Sequence, residues 1–299
     1  MGTIFGPRVP GNRVEYTQGY QFAILSETFS MQPSDSLSLP ESLLERLLDA
    51  EHVLVLTGAG MSAESGIATF RDAQTGLWAK FRPQDLATPQ AFAAQPARVW
   101  SWYEERREKV RDAEPHAGHF ALVELESLVP RLSIVTQNVD ALHQRSGSGS
   151  VIELHGNIMR SICHLTSRPI DDDWLAQSND CPPRSPWAQD GLARPDVVWF
   201  GESLPAGAMD TAMKAAVMCD FCFSIGTTST VQPAASLPLL ALENGASLVE
   251  INPQETPLSR HADCCLRGSA ARVLTSILHQ LKNRVQGPEL QTGELLSKL

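Results

Sequence analysis

Three features that define common classes of protein are missing from this sequence. No apolar run approaches the roughly 20 residues that a membrane-spanning helix needs. Positive charge is scarce, because 24 Lys and Arg residues face 34 Asp and Glu residues, and the net charge of -10 argues against nucleic acid as a partner. The six cysteines have no regular spacing, so we expect reduced thiols and no disulfide framework. With 42% hydrophobic residues, the 299-residue chain can still bury the core of one large domain, or of a domain with a sizeable insertion.

Two common phosphate-binding fingerprints are also missing. The apolar run Val53–Leu56 leads into Gly58-x-Gly60, but the next glycine, Gly66, follows six residues after Gly60 and not three. No Gly-Lys-Ser/Thr sequence follows these glycines. The first departure argues against the usual dinucleotide-binding fingerprint and makes a dehydrogenase the weakest hypothesis, and the second excludes a Walker loop.

The stretch after Val53–Leu56 nevertheless has the order of a phosphate site. The apolar run is typical of a buried parallel strand, and the two glycines behind it allow a tight turn and the close approach of a ligand to bare backbone. Ser62, Glu64 and Ser65 then lie where a helix would begin and where its unpaired N–H groups would face an anion. An ordinary turn is the alternative interpretation, since Gly-x-Gly is common in turns.

Four short apolar segments share the pattern of a strand whose carboxyl end meets small or polar residues. In an open α/β sheet, ligands bind outside the carboxyl ends of the strands, so these residues would converge on one crevice. The alternative is that strand ends are polar because loops are exposed. We predict an α/β fold with a doubly wound parallel sheet and a nucleotide crevice. The four segments are Val53–Leu56, Leu132–Val135, Phe221–Ile225 and Leu248–Ile251.

Two inserts interrupt this pattern and predict a second, smaller domain. The first contains several aromatic residues and a charged amphipathic helix at Pro96–Asp112, and the second is rich in Pro, Asp and Ser. A cleft between two such parts is a common place for a substrate. We predict a mobile extension at 1–40, a catalytic domain at 41–280 and a tail at 281–299. The large part would comprise about 41–73, 118–156 and 197–280, and the small part about 74–117 and 157–196.

The unit GAGxSAESGIxTFR at Gly58–Arg71, together with Gln137-Asn138-Val139-Asp140, resembles the signature of the sirtuins, NAD-dependent protein-lysine deacylases. The resemblance covers about 41–280 and implies a Rossmann-like large domain, a small domain built from two insertions, NAD as cofactor and acylated-lysine proteins or peptides as substrates. The cofactor contacts that it implies are Gly58, Ala59, Gly60, Ser62, Glu64, Ser65, Gly66, Thr69, Phe70, Arg71, Trp78, Gln137, Asn138, Asp140, Gly226, Thr227, Ser229, Asn252 and Ala270.

His155, in Glu-Leu-His-Gly, corresponds to the catalytic histidine of the sirtuins, and Asn138 and Asp140 would act with it at the nicotinamide end of NAD. An imidazole suits a general base near neutral pH. The resemblance implies that the acyl oxygen attacks the ribose carbon that carries nicotinamide and displaces nicotinamide. His155 would then help a ribose hydroxyl to attack the resulting imidate, and water would complete the release of 2′-O-acyl-ADP-ribose and free lysine. We assign ordinary core or surface roles to His116, His119 and His143.

The segment Val197–Glu202 resembles the substrate-binding strand of the family. It would pair with an extended peptide by β-augmentation, which leaves a side-chain tunnel to select the acyl-lysine. An ordinary buried strand is the alternative interpretation. The residues predicted to contact substrate here are Val198, Phe200, Gly201 and Glu202.

Tyr103 and Arg106 carry the prediction of acyl preference. Their spacing places a phenol and a guanidinium on one helix face, where they could hold a carboxylate at the end of an acyl chain. The same pair marks the class III, sirtuin-5-like sirtuins, which prefer succinyl-, malonyl- and glutaryl-lysine, and Ala87 matches the small residue that widens their acyl pocket. The alternative is a Tyr and an Arg on a charged helix without such a role.

The metal positions depart from the family pattern. Most sirtuins hold a structural zinc with two Cys-x-x-Cys pairs, but here Cys163 and Cys181 are followed by Thr166 and Arg184 at the partner positions, and His164 is adjacent. Four-coordinate zinc needs four N or S ligands. We therefore expect a weak or absent zinc site, with these cysteines as remnants.

Several expectations remain open from the sequence. The final Ser297-Lys298-Leu299 is a peroxisomal address in eukaryotes, with cytoplasm, nucleus or mitochondrion as alternatives. We expect a monomer with no membrane contact. Plain deacetylation, mono-ADP-ribosylation and a catalytically silent NAD-sensing module remain the alternative functions.

Overall fold

The computed structural model describes residues 37–68, 86–205 and 207–286. The predicted cofactor contacts Thr69, Phe70, Arg71 and Trp78 lie outside these ranges, as do the tripeptide 297–299 and nearly all of the predicted extension.

A six-stranded parallel sheet is the centre of the large part. Its strand order is β3-β2-β1-β7-β8-β9, and every neighbouring pair runs parallel. The order changes direction at β1, because the next strands in the chain, β2 and β3, lie on one side of it and the later strands β7, β8 and β9 lie on the other. Ligands of such sheets bind where the order reverses. The strands are β1 (Val53–Thr57), β2 (Leu132–Thr136), β3 (Val151–Glu153), β7 (Phe221–Ile225), β8 (Ser247–Ile251) and β9 (Cys264–Leu266).

Helices cover both faces of this sheet, so the predicted doubly wound α/β fold is confirmed. Alternate side chains of the strands point to opposite faces and enter two separate hydrophobic clusters. One cluster takes in α1 (Glu41–Leu48), α4 (Ala117–Leu128) and α9 (Ala270–Gln286), and the other takes in α7 (Ala208–Met218) and α8 (Leu237–Glu243). In the described part of the chain, no helix combines the length and apolar character that a membrane crossing requires.

A second, antiparallel sheet forms the smaller part, in the order β5-β4-β6. Two apolar clusters join it to the helix at Pro96–Asp112, which has the bounds predicted from the sequence. The insert at 157–196 therefore contains strands that its Pro- and Ser-rich composition did not reveal. The elements of this region are α2 (Pro89–Ala94), α3 (Pro96–Asp112), α5 (Leu142–Ser146), β4 (Gly156–Cys163), β5 (Pro169–Ile170), α6 (Asp172–Ala176) and β6 (Ala193–Val197).

Packed residues lie beyond both ends of the catalytic domain that the sequence predicts. Leu39 is buried, and its backbone N–H and carbonyl bond to the Gln280 side chain, so the packed domain begins before residue 41. The last helix continues to Gln286 and buries Leu281, because its apolar repeat extends past residue 280.

Two local predictions were wrong. No α-helix follows the glycine turn through Ala68; two short 3-10 turns, Ala59–Met61 and Ala63–Ser65, are present, and Gly66 ends the second with φ of 81°. The predicted substrate strand Val197–Glu202 is also not a strand, since β6 ends at Val197 and the chain then turns. In this turn the carboxylate of Glu202 accepts the N–H of Trp199, which bends the chain away from an extended path.

Candidate active site

Two glycine turns interlock at the carboxyl ends of β1 and β7. Gly60 donates its N–H to the carbonyl of Gly226 at 2.8 Å, and Gly58 donates to Ile225 at 3.0 Å. A Cβ atom added to Gly60 would lie 2.7 Å from Cα of Gly226, closer than real Cβ contacts. The bare backbone at these glycines therefore serves first to pack one turn against another. Gly58 is buried, whereas Ala59, Gly60 and Gly226 are partly open to solvent or ligand.

Ser62, Asn138 and Asp140 form one hydrogen-bonded group beside this turn. The Ser62 hydroxyl donates to Asp140 Oδ2 at 2.6 Å and accepts from Asn138 Nδ2 at 3.0 Å. Asn138 Nδ2 also bonds to the carbonyl of Gly58 at 3.0 Å. Burial raises the pKa of the Asp140 carboxyl, and the Ser62 and Leu142 hydrogen bonds oppose that shift. The structure thus brings together three side chains that the resemblance places among the cofactor contacts.

His155 lies at the end of β3, half-buried, with one ring nitrogen committed. Its Nδ1 is 2.9 Å from the carbonyl oxygen of Gln137, which can only accept, so Nδ1 carries the proton and Nε2 keeps its lone pair. Burial lowers the pKa of His155, and the bond to Gln137 opposes this shift. A neutral imidazole with an available Nε2 is the form that a general base requires.

A row of three histidine rings lies behind the same edge. The ring centroids of His116 and His119 are 4.3 Å apart, and those of His119 and His143 are 5.1 Å apart. His143 Nε2 contacts the Thr57 hydroxyl at 3.1 Å, and Thr57 in turn donates to Thr136 at 2.9 Å. Burial lowers the pKa of His119 to about 2 and that of His143 to about 4. His119 and His143 are therefore neutral core residues, in keeping with the ordinary role assigned to them from the sequence, and His143 supports strands whose ends form the site.

The loop after β7 contributes further polar groups. Thr227 joins three elements, because its hydroxyl accepts from Gln137 Nε2 at 3.1 Å and its carbonyl accepts from Asn252 Nδ2 at 2.7 Å. Ser229 has φ of 54°, and its buried hydroxyl has no hydrogen-bond partner among the described residues. An unpartnered buried hydroxyl beside exposed turn backbone fits a ligand that carries phosphates and ribose hydroxyls.

Other predicted cofactor contacts have structural tasks. Glu64 accepts the N–H of Ala271 at 2.8 Å and so caps α9, whose first residue Ala270 is buried. The Ser65 hydroxyl donates to the carbonyl of Glu114 at 2.6 Å. These side chains tie the loop after β1 to the start of α9 and to the segment before α4, and their roles toward a cofactor stay predictions.

The turn at 198–202 connects His155 to the first insert. Val198 donates its N–H to the carbonyl of His155, and Phe200 donates to that of Ala87, both at 2.9 Å. Glu202 donates its own N–H to the carbonyl of Trp199. Since these N–H groups are engaged inside the protein, a peptide that adds along this turn would have to use other backbone groups. The substrate roles of Val198, Phe200, Gly201 and Glu202 stay predictions.

Tyr103 and Arg106 lie together on α3, as their spacing predicts, and form with Trp102 and Trp199 the group that we call the acyl-end cluster. The Arg106 guanidinium carbon is 4.4 Å from the centre of the Trp102 ring, and Tyr103 Oη accepts from Trp199 Nε1 at 3.0 Å. Burial raises the pKa of Tyr103 to about 12 and lowers that of Arg106. The phenol therefore stays protonated, and a poorly hydrated guanidinium lies beside it.

The neighbouring Arg107 has a different task from Arg106. Its guanidinium donates to the carbonyls of Ile158 and Arg160 and to the Ser161 hydroxyl, which ties α3 to β4. Arg107 is therefore committed to contacts inside the protein.

The cysteines at the family's metal positions are unlike each other. Cys163 is buried, whereas Cys181 is exposed with Sγ 3.6 Å from the Ser101 hydroxyl. Burial raises the pKa of Cys163, but hydrogen bonds from Ser185, Thr166 and nearby backbone outweigh it and lower the pKa overall. Across the ranges that the structure describes, no three His, Cys, Asp or Glu side chains are grouped to hold a metal ion. These donors do not fit a four-ligand zinc site.

A family model described as the Sir2 family matches residues 58–233, which is more than half of the chain. The chain belongs to the Sir2 family. An NAD-dependent protein deacylase of Methylococcus capsulatus is 47% identical over 253 residues, which cover 82% of this chain and 98% of that protein. NAD-dependent protein deacylase 1 of Archaeoglobus fulgidus is 44% identical over 245 residues, with 82% and 98% covered.

Solved structures of Sir2 proteins share the fold. A Sir2 homologue in complex with NAD is 43% identical, has a TM-score of 0.75 and covers 83% of this chain and 95% of its own. A complex described as Sir2, p53 peptide and NAD+ is 29% identical, with a TM-score of 0.71 and 80% and 97% covered. The Rossmann-like fold with a smaller second domain, predicted from the sequence, is therefore confirmed.

The sequence contained no sign of the contacts that two further residues make at the acyl-end cluster. Trp199 and Arg194 join the 198–202 turn to the acyl-end cluster, with the Arg194 guanidinium carbon 3.3 Å from the centre of the Trp199 ring. Trp199 stands inside a motif that was recognised, but an apolar residue in a presumed strand gives no sign of a long-range hydrogen bond.

Proposed function

We propose that this Sir2 protein is an NAD-dependent protein-lysine deacylase that prefers lysines carrying succinyl, malonyl or glutaryl groups. The general activity, NAD-dependent protein deacylation, comes with the family and with relatives of that name that this chain matches over nearly their full length. The preference for acidic acyl groups is the new part of the proposal. It depends on the acyl-end cluster.

NAD would be held by the Gly58–Gly60 turn, the loop at Thr227 and Ser229, and the group formed by Ser62, Asn138 and Asp140. When bound, it supplies an electrophilic ribose carbon and the hydroxyl that takes over the acyl group. His155 Nε2 would accept a proton, since Nδ1 is engaged with Gln137 and burial favours the neutral ring.

The observation that carries the acyl preference is the short path from His155 to Tyr103. The turn at 198–200 bonds to His155 at one end and to Ala87 at the other, and Trp199 between them bonds to Tyr103. An acyl chain that enters beside His155 would meet a protonated phenol and the Arg106 guanidinium at its far end. A guanidinium binds a carboxylate through strong, charge-assisted hydrogen bonds, and a phenol hydroxyl can donate one more.

The direct test compares succinyl-, malonyl-, glutaryl- and acetyl-lysine versions of one peptide with NAD, following nicotinamide release. We expect a higher kcat/KM for the acidic acyl groups in the wild type. A hydrogen bond to a charged group contributes about 1.5–3 kcal/mol, so Arg106→Ala should lower the succinyl-to-acetyl ratio of kcat/KM by about 10- to 150-fold.

Arg111→Ala is the matched control, because Arg111 is an exposed arginine in the last turn of the same helix. It should leave the ratio near that of the wild type. A wild type that prefers acetyl-lysine, with a ratio unaffected by Arg106→Ala, would identify a plain deacetylase. No nicotinamide release from any peptide would identify a silent NAD-binding module.

A further inference from the structure

Trp199 is a buried indole between the 198–202 turn and helix α3. Only 2% of the residue is exposed. Its ring lies 5.3 Å from that of Phe92 and 6.4 Å from that of Tyr103, measured between centroids, with the Arg194 guanidinium against one face. A ring packed on several sides has little freedom to rotate.

The indole N–H sets the direction of the Tyr103 hydroxyl. An indole nitrogen can only donate, so the phenol oxygen must be the acceptor in the 3.0 Å bond between them. Trp199 is the only hydrogen-bond partner of that oxygen in the described part of the chain. The phenolic hydrogen is therefore left to donate in another direction, toward a group that the described residues do not supply.

The tyrosine keeps this hydrogen at physiological pH. Burial raises the pKa of Tyr103 to about 12, against the smaller opposing effects of the Trp199 bond and of the nearby arginines. A neutral phenol whose oxygen accepts one bond from Trp199 keeps its hydrogen available to donate to a ligand.

Trp199 is itself held by an ion pair. Both oxygens of Glu202 bond to the Arg194 guanidinium, at 2.5 and 2.9 Å, and one of them also accepts the Trp199 backbone N–H at 2.9 Å. Burial alone would raise the pKa of Glu202, but the hydrogen bonds from Arg194 and Trp199 lower it. The carboxylate stays charged, so the turn and the indole are fixed as one unit.

We infer that Trp199 is a positioning residue for acyl selectivity, whose indole N–H orients the Tyr103 hydroxyl as a donor to the distal carboxylate of an acidic acyl chain. The inference rests on the proposed function and deepens it. It also links selectivity to the turn, because Val198 and Phe200 on either side bond to the backbone of His155 and Ala87.

Trp199→Phe tests this role, because phenylalanine keeps an aromatic ring but lacks the N–H. The measured quantity is the succinyl-to-acetyl ratio of kcat/KM. A net hydrogen bond contributes about 0.5–1.5 kcal/mol, which corresponds to a fall of about 2- to 13-fold in the ratio. We expect the fall to come from a higher KM for the succinyl peptide, since the distal carboxylate is held alike before and during reaction.

A double-mutant cycle with Tyr103→Phe separates orientation from packing. If Trp199 acts through the hydroxyl, Trp199→Phe should lower the ratio in the wild type and not lower it further when residue 103 is already phenylalanine. Independent, additive losses in the ratio would overturn the inference, as would equal losses for both peptides. A 3-benzothienylalanine at position 199, which preserves the shape of the indole and replaces N–H by sulfur, serves if the phenylalanine variant does not fold.

The two proposals fail in different ways. A wild type without preference for succinyl over acetyl overturns the proposed acyl selectivity and this inference with it. A wild type whose preference is lost in Arg106→Ala but retained in both Trp199 variants overturns the inference alone.

Discussion

At the carboxyl ends of β1, β2 and β7, which we call the nucleotide edge, the functional side chains come from loops that directly follow strands. In the acyl-end cluster they come from a helix and a turn that pack against each other, 96 positions apart in the chain for Tyr103 and Trp199. The first arrangement follows from topology, because parallel strands bring their carboxyl ends to one edge. The second depends on side-chain packing that no local pattern specifies.

The two regions also differ in what a substitution should change. Groups at the nucleotide edge serve steps that every acyl-lysine passes through, so their loss should affect all peptides alike. Groups of the acyl-end cluster should alter the ratio between peptides. Each prediction below tests whether the two regions differ in this way.

The largest effect is expected for His155→Gln. Because Nε2 of His155 is the available base, its removal should lower kcat by about 100- to 10,000-fold, and by a similar factor for succinyl and acetyl peptides. The measurement is nicotinamide and free-lysine release over time, with melting temperature as a check on folding. His279→Gln is the control, since His279 is exposed on α9 and bonds to Asn283 on the same helix. A loss confined to one acyl group would break the division.

The sequence predicted the nucleotide edge well and the acyl-end cluster in part. Strands of β-branched and apolar residues that end in glycine or polar residues leave a local pattern, and all four predicted strands are present. The 3-10 turns after Gly58 could not be foreseen, because they follow from the contact of Gly60 with Gly226 across the sheet. The turn at 198–202, where the sequence predicted a strand, could not be foreseen either, because it depends on the bonds of the Glu202 carboxylate to Arg194 and to the Trp199 N–H.

An effect of intermediate size is expected when the pH is lowered, because two buried histidines beside the nucleotide edge should reduce the free energy of unfolding in acid. The folded-state pKa values of His119 and His143, about 2 and about 4, lie below the unfolded value of about 6.5. Below pH 6.5 the two histidines bind protons in the unfolded chain but stay neutral in the folded protein. As the pH falls, the free energy of unfolding should therefore decrease by up to about 1.4 kcal/mol per pH unit for each ring. Above pH 6.5 these two rings should not change the free energy of unfolding.

Urea unfolding between pH 7.5 and 5 measures this slope. In His119→Gln the free energy of unfolding should change less steeply with pH, by about the contribution of one proton-binding group. This difference does not depend on the absolute stability of the variant. An unchanged slope would show that other groups cause the acid sensitivity. In that case the histidine row would not be what couples pH to the nucleotide edge.

The smallest effect is expected at Ala141, the residue after Asp140. It has φ of 60° and ψ of 16°, a left-handed conformation that costs an L-residue about 1–2 kcal/mol, while glycine loses more chain entropy on folding. Ala141→Gly should therefore raise the free energy of unfolding by about 0.5–1 kcal/mol. The control is Ala93→Gly, at an exposed position within α2, which should lower the free energy of unfolding by about 0.5–1 kcal/mol. If urea unfolding shows that the two substitutions change the free energy of unfolding in opposite directions, the backbone at Ala141 is strained. If both substitutions lower it, the backbone there is not strained. The succinyl-to-acetyl ratio should stay the same in both variants, because neither residue belongs to the acyl-end cluster.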